Sequence, residues 1–335
     1  MEIQAYFEEW SRRPGDTVRL AISTPHASIR ASLVRLISGP GQGDNIEGRV
    51  TDFSSVLDAT VPGRIKATMV GSYAQLSLPA EIAGRLASVH CWVWPTVPER
   101  ATPQAVWSLG DIALVTASGR LELRSKTDVL ASIPNAMIGK HWYSIVVTIG
   151  DGELSIDLKR LDGKVNSHRS FRTTTATTIS SETLILAASG VGPSGSPLLS
   201  FNGKIDSPTL YLEKPTADTI AAWHAGDAPQ ATAWAAWKLG EDFAAETISP
   251  TLKDVPPGRL VNGVERGVTG RNWDGRRDSF TEAPQQYCAL QFHDDDMVDA
   301  GWSYDIEFAL PDTLRSGVYA VRLRRREIIP TSRCL

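Results

Sequence analysis

The densest run of side chains able to do chemistry in this chain is His293-Asp294-Asp295-Asp296, with Asp299 close by. A histidine beside several carboxylates suits iron, manganese or zinc, and hard cations need converging carboxylate and carbonyl oxygens. Consecutive aspartates do not converge by themselves: on a strand they alternate between faces, and in a turn they fan out. The run also lacks the D-x-D-x-D-G spacing of a calcium-binding loop. The simpler reading gives one aspartate to a turn cap, His293 to a backbone hydrogen bond and the others to water. No metal is therefore assigned to the chain, and His293, Asp294 and Asp296 are the residues that would ligate one.

Other chemistry finds less support. Asn272-Trp273-Asp274-Gly275 reads as a turn anchored by a buried Trp273, while Glu282 and Tyr287 lack a visible acid–base partner. There is no G-x-S-x-G elbow, and six scattered histidines give no triad spacing. Gly39-Pro40-Gly41-Gln42-Gly43 is too interrupted by proline to cradle phosphates and reads as a loop. Trp92, Trp94, Trp107 and Trp142 could stack on a sugar, but large aromatics more often fill sandwich cores. Trp223, Trp234 and Trp237 with Phe243 are expected to pack the junction of two domains, or else to mark a subunit interface.

The elements that must position these groups are mostly strands. Val18, Leu20 and Ile22 alternate with Arg19, Ala21 and Ser23, and Ile29, Ala31 and Leu33 continue the pattern. From about Pro79 the texture changes. In SVHCWVWPT both alternating sets are bulky, which predicts a strand covered on both faces. HWYSIVVTIGDGELSIDLKRLDG predicts a hairpin turning at Gly150-Asp151-Gly152. One short helix is expected over PTADTIAAWHAGD, with Thr216 and Asp218 as cap candidates and Gly226 to stop it. ATAWAAWKLGEDF reads as a returning strand. WSYDIEFAL reads as a half-buried strand with Trp302, Tyr304, Ile306, Phe308 and Leu310 on one face, and Tyr319, Val321 and Leu323 close the sheet.

A prior of ~150 residues per domain gives about two domains for 335 residues. Neither terminal set of strands suffices for a core, so pairing them with each other predicts a discontinuous domain. The expected division is 1–75 and 246–335 for a small Ig-like β-sandwich, with 76–245 as an inserted jelly-roll sandwich. The fold class is all-β, with one or two short helices.

A net charge of −4 offers no basic field for nucleic acid. Arg322, Arg324, Arg325 and Arg326 read as a solvated tail. No stretch reaches the ~18 to 20 apolar residues that span a bilayer, and the charged N-terminus does not read as a signal peptide. Cys91, Cys288 and Cys334 are odd in number and far apart, which argues against disulfides and structural zinc. The expectation is a cytoplasmic protein that binds neither membrane nor nucleic acid.

Two resemblances sharpen this reading. SFNGKIDSPTLYLE, with Phe201 and Asn202-Gly203-Lys204-Ile205-Asp206, resembles the late strand of laminin-G/concanavalin A-like domains. SVHCWVWPT and KHWYSIVVTIGDGELSIDL resemble their early strand and central hairpin, so the likeness covers about residues 80–215. A second resemblance, to the N,N-dimethylformamidase large-subunit family, rests on Asn262, Gly270, Asn272-Trp273, Glu282-Ala283-Pro284, Tyr287, Phe292-His293-Asp294-Asp295-Asp296, Gly301-Trp302 and Ser316-Gly317-Val318-Tyr319. The N-terminal strand pair and the inserted sandwich stand in the same order in that family.

That resemblance implies an iron-dependent amidohydrolase of small N-substituted formamides, in which iron assists attack of water on the amide carbonyl. It also implies a large subunit about twice this length, working beside a small subunit, with iron held by two tyrosines and a glutamate in a C-terminal domain. No residue here matches those ligands, so no catalytic residue is carried over and no cofactor is expected in this chain. The expectation is a non-catalytic scaffold or assembly region, truncated before the catalytic domain and inactive alone. It would form homo- or hetero-oligomers with large and small amidohydrolase subunits. Trp223, Trp237, Trp273 and Trp302 are its expected structural or interface residues. The alternatives are a lectin-like module binding carbohydrate or a small ligand, and a self-contained hydrolase centred on His293.

Overall fold

Short runs of alternating apolar and polar residues, broken by Gly, Pro and Asp turns, leave this chain few ways to bury its apolar faces except in stacked antiparallel sheets. The computed structural model describes residues 3–38, 49–79, 87–150, 152–172, 181–229 and 233–325. The chain forms two units, one made of both chain ends, up to residue 68 and from residue 300, and one of Met69–Asp299. The loop at 39–43, Arg326 and Cys334 lie outside the described residues.

The first unit is a small sandwich. One sheet has three strands, in the order Gln4–Phe7, Thr17–Ser23 and Ile306–Ala309. The other centres on Ser28–Leu36, flanked by Val318–Arg325, Val50–Asp52 and Asp58–Pro62. Leu20, Ile22 and Ile306 meet Ala31 and Leu33 in a shared core. Each sheet thus joins an early strand to a late one, which covers edges that either end alone would leave open.

The second unit has two larger antiparallel sheets. The first has eight strands, running Asp128–Ile133, Arg120–Ser125, Ile112–Ala117, Gln104–Leu109, Thr183–Leu186, Tyr73–Ser77, Gly258–Val261 and Thr247–Ile248. The second runs Asn166–Arg172, Glu153–Arg160, Tyr143–Gly150, Ala87–Pro95, Gly203–Tyr211, Ala289–Phe292 and Glu265–Val268, with Ala235–Ala236 paired to Gly203–Tyr211. One continuous apolar core draws on both, including Leu76, Trp107 and Leu123 from one sheet and Val89, Ile145 and Phe292 from the other. This is the all-β, antiparallel two-sheet sandwich expected from the sequence.

Local signals explain individual pieces. The hairpin pairs Tyr143 with Arg160 through Gly150 with Glu153. The helix Ala217–Ala225 begins where the Thr216 side chain accepts from the Thr219 N–H, and ends at Gly226 in the left-handed region with φ 105°. Gly203 has φ 151°, and a Cβ there would stand 2.4 Å from the Trp94 carbonyl oxygen, so only glycine lets these two neighbouring strands approach.

Four expectations are corrected. Residues 246–299 belong to the second unit, because Thr247–Ile248 and Gly258–Val261 extend its first sheet while Glu265–Val268 and Ala289–Phe292 extend its second. Among its described residues, ATAWAAWKLGEDF contributes the two-residue strand Ala235–Ala236 and an isolated bridge from Trp237 to Pro250. WSYDIEFAL is a strand only over Ile306–Ala309, since Trp302 and Tyr304 precede its pairing with Thr17–Leu20. Arg322, Arg324 and Arg325 lie in the strand Val318–Arg325, paired with Ser32, Arg30 and Ile29, and not in a tail. Among the described residues, no helix is long and apolar enough to cross a membrane.

Candidate functional site

The His293 run leaves the end of the strand Ala289–Phe292 and spreads at once. Asp294 forms an ion pair with Arg100, and its backbone N–H donates to Asn202 Oδ1 at 3.1 Å. Burial opposes ionisation of Asp294, but the hydrogen bonds from Arg100 and Asn202 together hold its carboxyl below the ordinary range. Asp295 is exposed. Asp296 accepts from Ser72 Oγ at 2.5 Å and from the His293 N–H at 3.2 Å, and it sits 3.2 Å from His293 Nδ1. The His293 ring therefore bonds side chains, Asp296 and Gln291, where the sequence predicted a backbone partner. Asn262 closes the knot by donating to the carbonyls of Asp296, Gly71 and Met69 and accepting from the Val298 N–H. The loop thus fastens the start of the strand Tyr73–Ser77 to the end of Ala289–Phe292, tying one sheet to the other. Among the described residues, no three His, Cys, Asp or Glu side chains are grouped to hold a metal ion.

The tryptophans separate by layer. Trp107 lies in the inter-sheet core, and Trp92 is buried on the opposite face of its own strand from Val89, Cys91 and Val93. Trp94 and Trp142 are half-buried, and Lys204 Nζ stands 5.1 Å over the Trp94 ring. These four rings do not share a stacking platform. Trp223 stacks on Tyr211 with centroids 4.2 Å apart, and Trp237 is buried in the main core with its Nε1 donating to the Pro256 carbonyl at 3.3 Å. Both are interior to the second unit, which corrects their expected place at a domain junction. Trp234 packs on the same core, and Phe243 meets Phe280 at 4.6 Å. Trp273 is 43% exposed, so the buried anchor expected there is absent; its Nε1 holds its own turn by donating to the Arg277 carbonyl at 2.9 Å. Trp302, in the first unit, lies 5.5 Å from the Tyr6 ring and donates to the Ala67 carbonyl and Thr68 Oγ1.

Sequence reasoning missed a polar layer on the outer face of the second sheet. Strand register puts Ser144 and Asp206 on either side of Trp92, and Val146 and Thr209 on either side of His90. The helix Ala217–Ala225 lies over this face. Ser144 Oγ sits 3.0 Å from His90 Nε2 and 2.8 Å from Nδ1 of His224, so one hydroxyl links helix to sheet. Burial, then the proximity of His224 and Arg271, pushes His90 down to about 3; burial, then Lys159, pushes His224 down to about 4. Both imidazoles are therefore neutral at physiological pH. A serine between two imidazoles resembles a nucleophile with its base, yet His90 and Ser144 are fully buried and His224, from the helix itself, is buried against them. No carbonyl substrate reaches that hydroxyl without lifting the helix.

Beside this layer, Asp206 is buried at a bulge where Ser207 adopts a left-handed φ of 50°. Burial raises its carboxyl pKa, against hydrogen bonds from Ser207 Oγ at 2.8 Å and the Arg271 N–H at 3.2 Å. The Arg271 guanidinium lies 4.8 Å from the Trp92 centroid and donates to the Gly226 carbonyl, clamping the helix end. A cavity of about 390 Å³ opens here, lined by Asp206, Ser207, Lys238, Glu241 and Cys288 among others. Burial pushes the Cys288 thiol up to about 11, which leaves it protonated and a poor nucleophile. Both Asp206 oxygens already have partners, so the cavity presents no free acid–base pair.

The iron ligands implied by the resemblance can be tested against the tyrosines. Tyr143 receives the Ile138 N–H, while Tyr211, Tyr287 and Tyr319 donate to the carbonyls of Pro229, Arg277 and Arg315. Tyr6 receives the Trp302 N–H, Tyr73 packs with Ala188 and Val261, and Tyr304 is exposed. Tyr6, Tyr143, Tyr211, Tyr287 and Tyr319 thus each bond a different backbone group. Among the described residues, none of these hydrogen bonds joins a tyrosine to a second tyrosine or to a glutamate.

Comparison with known proteins agrees with the quoted motifs. The family model described as N,N-dimethylformamidase beta subunit-like, C-terminal, matches residues 265–331. The N,N-dimethylformamidase beta subunit of Paracoccus aminophilus is 30% identical over 97% of this chain and 47% of its own length. That of an Alcaligenes species is 28% identical over 96% of this chain and 47% of its own length. The chain spans about half the length of these curated relatives. A suggested carbohydrate-binding protein from Bacteroides ovatus aligns over 78% of this chain and 91% of its own, at 12% identity and a TM-score of 0.45, too distant to bear on function. Along almost its whole length, the chain is similar to about half of these N,N-dimethylformamidase beta subunits.

Proposed function

We propose that this chain is the scaffold and assembly region of an amide hydrolase of the N,N-dimethylformamidase type, and that it does not carry the reacting groups. The observation behind this reading is where its polar side chains go. Asp296, Asn262, Asp294 and Asn202 knot the two sheets together, and His90, Ser144 and His224 fasten the helix. These candidate bases, nucleophiles and ligands are already holding the fold. The chain's place would then be in an oligomer with amidohydrolase subunits, which supply the iron and the substrate pocket. Cytoplasmic residence fits the free thiols of Cys91 and Cys288.

An assay of the purified chain with iron(II) and dimethylformamide, following dimethylamine, tests the reading. The expected rate equals that of buffer with iron. Saturable turnover above that background would defeat it.

A further inference from the structure

The first unit contains a cavity that the scaffold reading does not use. The space lined by both of its sheets measures about 420 Å³, within the range of small-molecule sites. Val18 and Phe308, opposite each other on paired strands, form one wall, and Leu33 and Tyr319 from the other sheet form the facing wall. Trp10 stands at the rim with 105% relative exposure, as open to water as in an extended peptide. A fully solvated indole beside an apolar cleft is a surface that gains by being covered.

The charges around the cleft select the occupant. Its lining carries three guanidinium groups, Arg12, Arg13 and Arg315, against the single carboxylate of Glu9. Arg12 is paired with Glu8 at 2.7 Å and Glu9 at 3.1 Å. That leaves Arg13 and Arg315, both exposed, as the other positive charges of the lining. Guanidinium groups bind carboxylates through charge-assisted, often bidentate hydrogen bonds. We propose that this cleft binds a small organic carboxylate, with its apolar body between Phe308, Leu33 and Tyr319, its acid at Arg13 and Arg315, and Trp10 closing over it.

The test uses 4-phenylbutyrate and its uncharged amide, 4-phenylbutanamide, as probes on the whole chain. Binding is read by tryptophan fluorescence and by ligand-observed saturation-transfer NMR. The acid should bind saturably with a blue shift and quench, about tenfold more tightly than the amide, as one charge-assisted contact implies. Trp10→Phe should abolish the spectral change while the NMR signal persists. Arg13→Gln with Arg315→Gln should bring acid and amide to similar affinity with circular dichroism unchanged. Absence of saturable acid binding would overturn the proposal, and so would equal binding of acid and amide by the unmodified chain. Sedimentation showing a dimer that Trp10→Ser dissociates would overturn it too, by assigning the cleft to a second copy.

Discussion

Asp305→Ala is expected to destabilise the first unit by about 3–5 kcal/mol, the usual cost of leaving a buried charge without its partner. Asp305 and Lys66 are each about 8% exposed at the side chain and form an ion pair. The aspartate also accepts from the Ile22 N–H at 2.7 Å and from Arg64 Nη2 at 3.3 Å. Removing it strands the Lys66 ammonium and a strand amide together, whereas losing the exposed, solvent-screened pair Arg30–Asp58 should matter far less. Replacing both partners, Lys66→Met with Asp305→Leu, should recover much of the loss, because apolar groups of similar size need no counter-charge. Hydrogen exchange at the Ile22 amide provides a local readout. Unchanged protection there in Asp305→Ala would contradict the structure at this point.

The second large effect is acid sensitivity of the helix seam. His90 and His224 have folded pKa values near 3 and 4, against an unfolded value of about 6.5. As pH falls below 6.5 the unfolded chain takes up protons that the folded one refuses. The stability tied to the neutral imidazoles is therefore complete above pH 6.5 and is lost as pH falls toward those folded values. Two such groups give a slope of up to about 2.7 kcal/mol per pH unit. Asp206 and Asp157, both raised by burial, act in the opposite sense at lower pH, so the decline should be steepest between about pH 6.5 and 5. Urea midpoints measured across this range should fall, and His90→Phe should remove about half the slope. A midpoint independent of pH would mean that these imidazoles are not held neutral.

Local features were legible in the sequence and long-range ones were not. Thr216 and Gly226 bracket the helix as their capping chemistry requires, and the two bulky alternating sets of SVHCWVWPT predicted a strand covered on both faces, as buried Val89 and Trp92 now show. These signals involve neighbours in the chain. Ser144 stands 54 residues from His90 and 80 from His224, and only strand register brings them together. Periodicity gives a residue's face but not the partner across from it. The same gap explains why Trp223 and Trp237 were expected at a junction, although strand pairing seats both inside the second unit. It also explains why residues 246–299 were assigned to the first unit: their short strands extend sheets whose other members lie far away in sequence. The His293 run was the densest cluster by composition, yet the chain turns at Asp294 and Asp295, so Asp294 pairs with Arg100, Asp295 is exposed and Asp296 bonds Ser72 and His293.

Iron loading tests the scaffold account most directly. The purified chain would be incubated anaerobically with iron(II), desalted and analysed for metal. The account predicts iron far below one equivalent, with no change on His293→Ala. A full equivalent retained through desalting, and lost in His293→Ala or in a tyrosine variant, would contradict it by showing that these residues assemble a metal centre of their own.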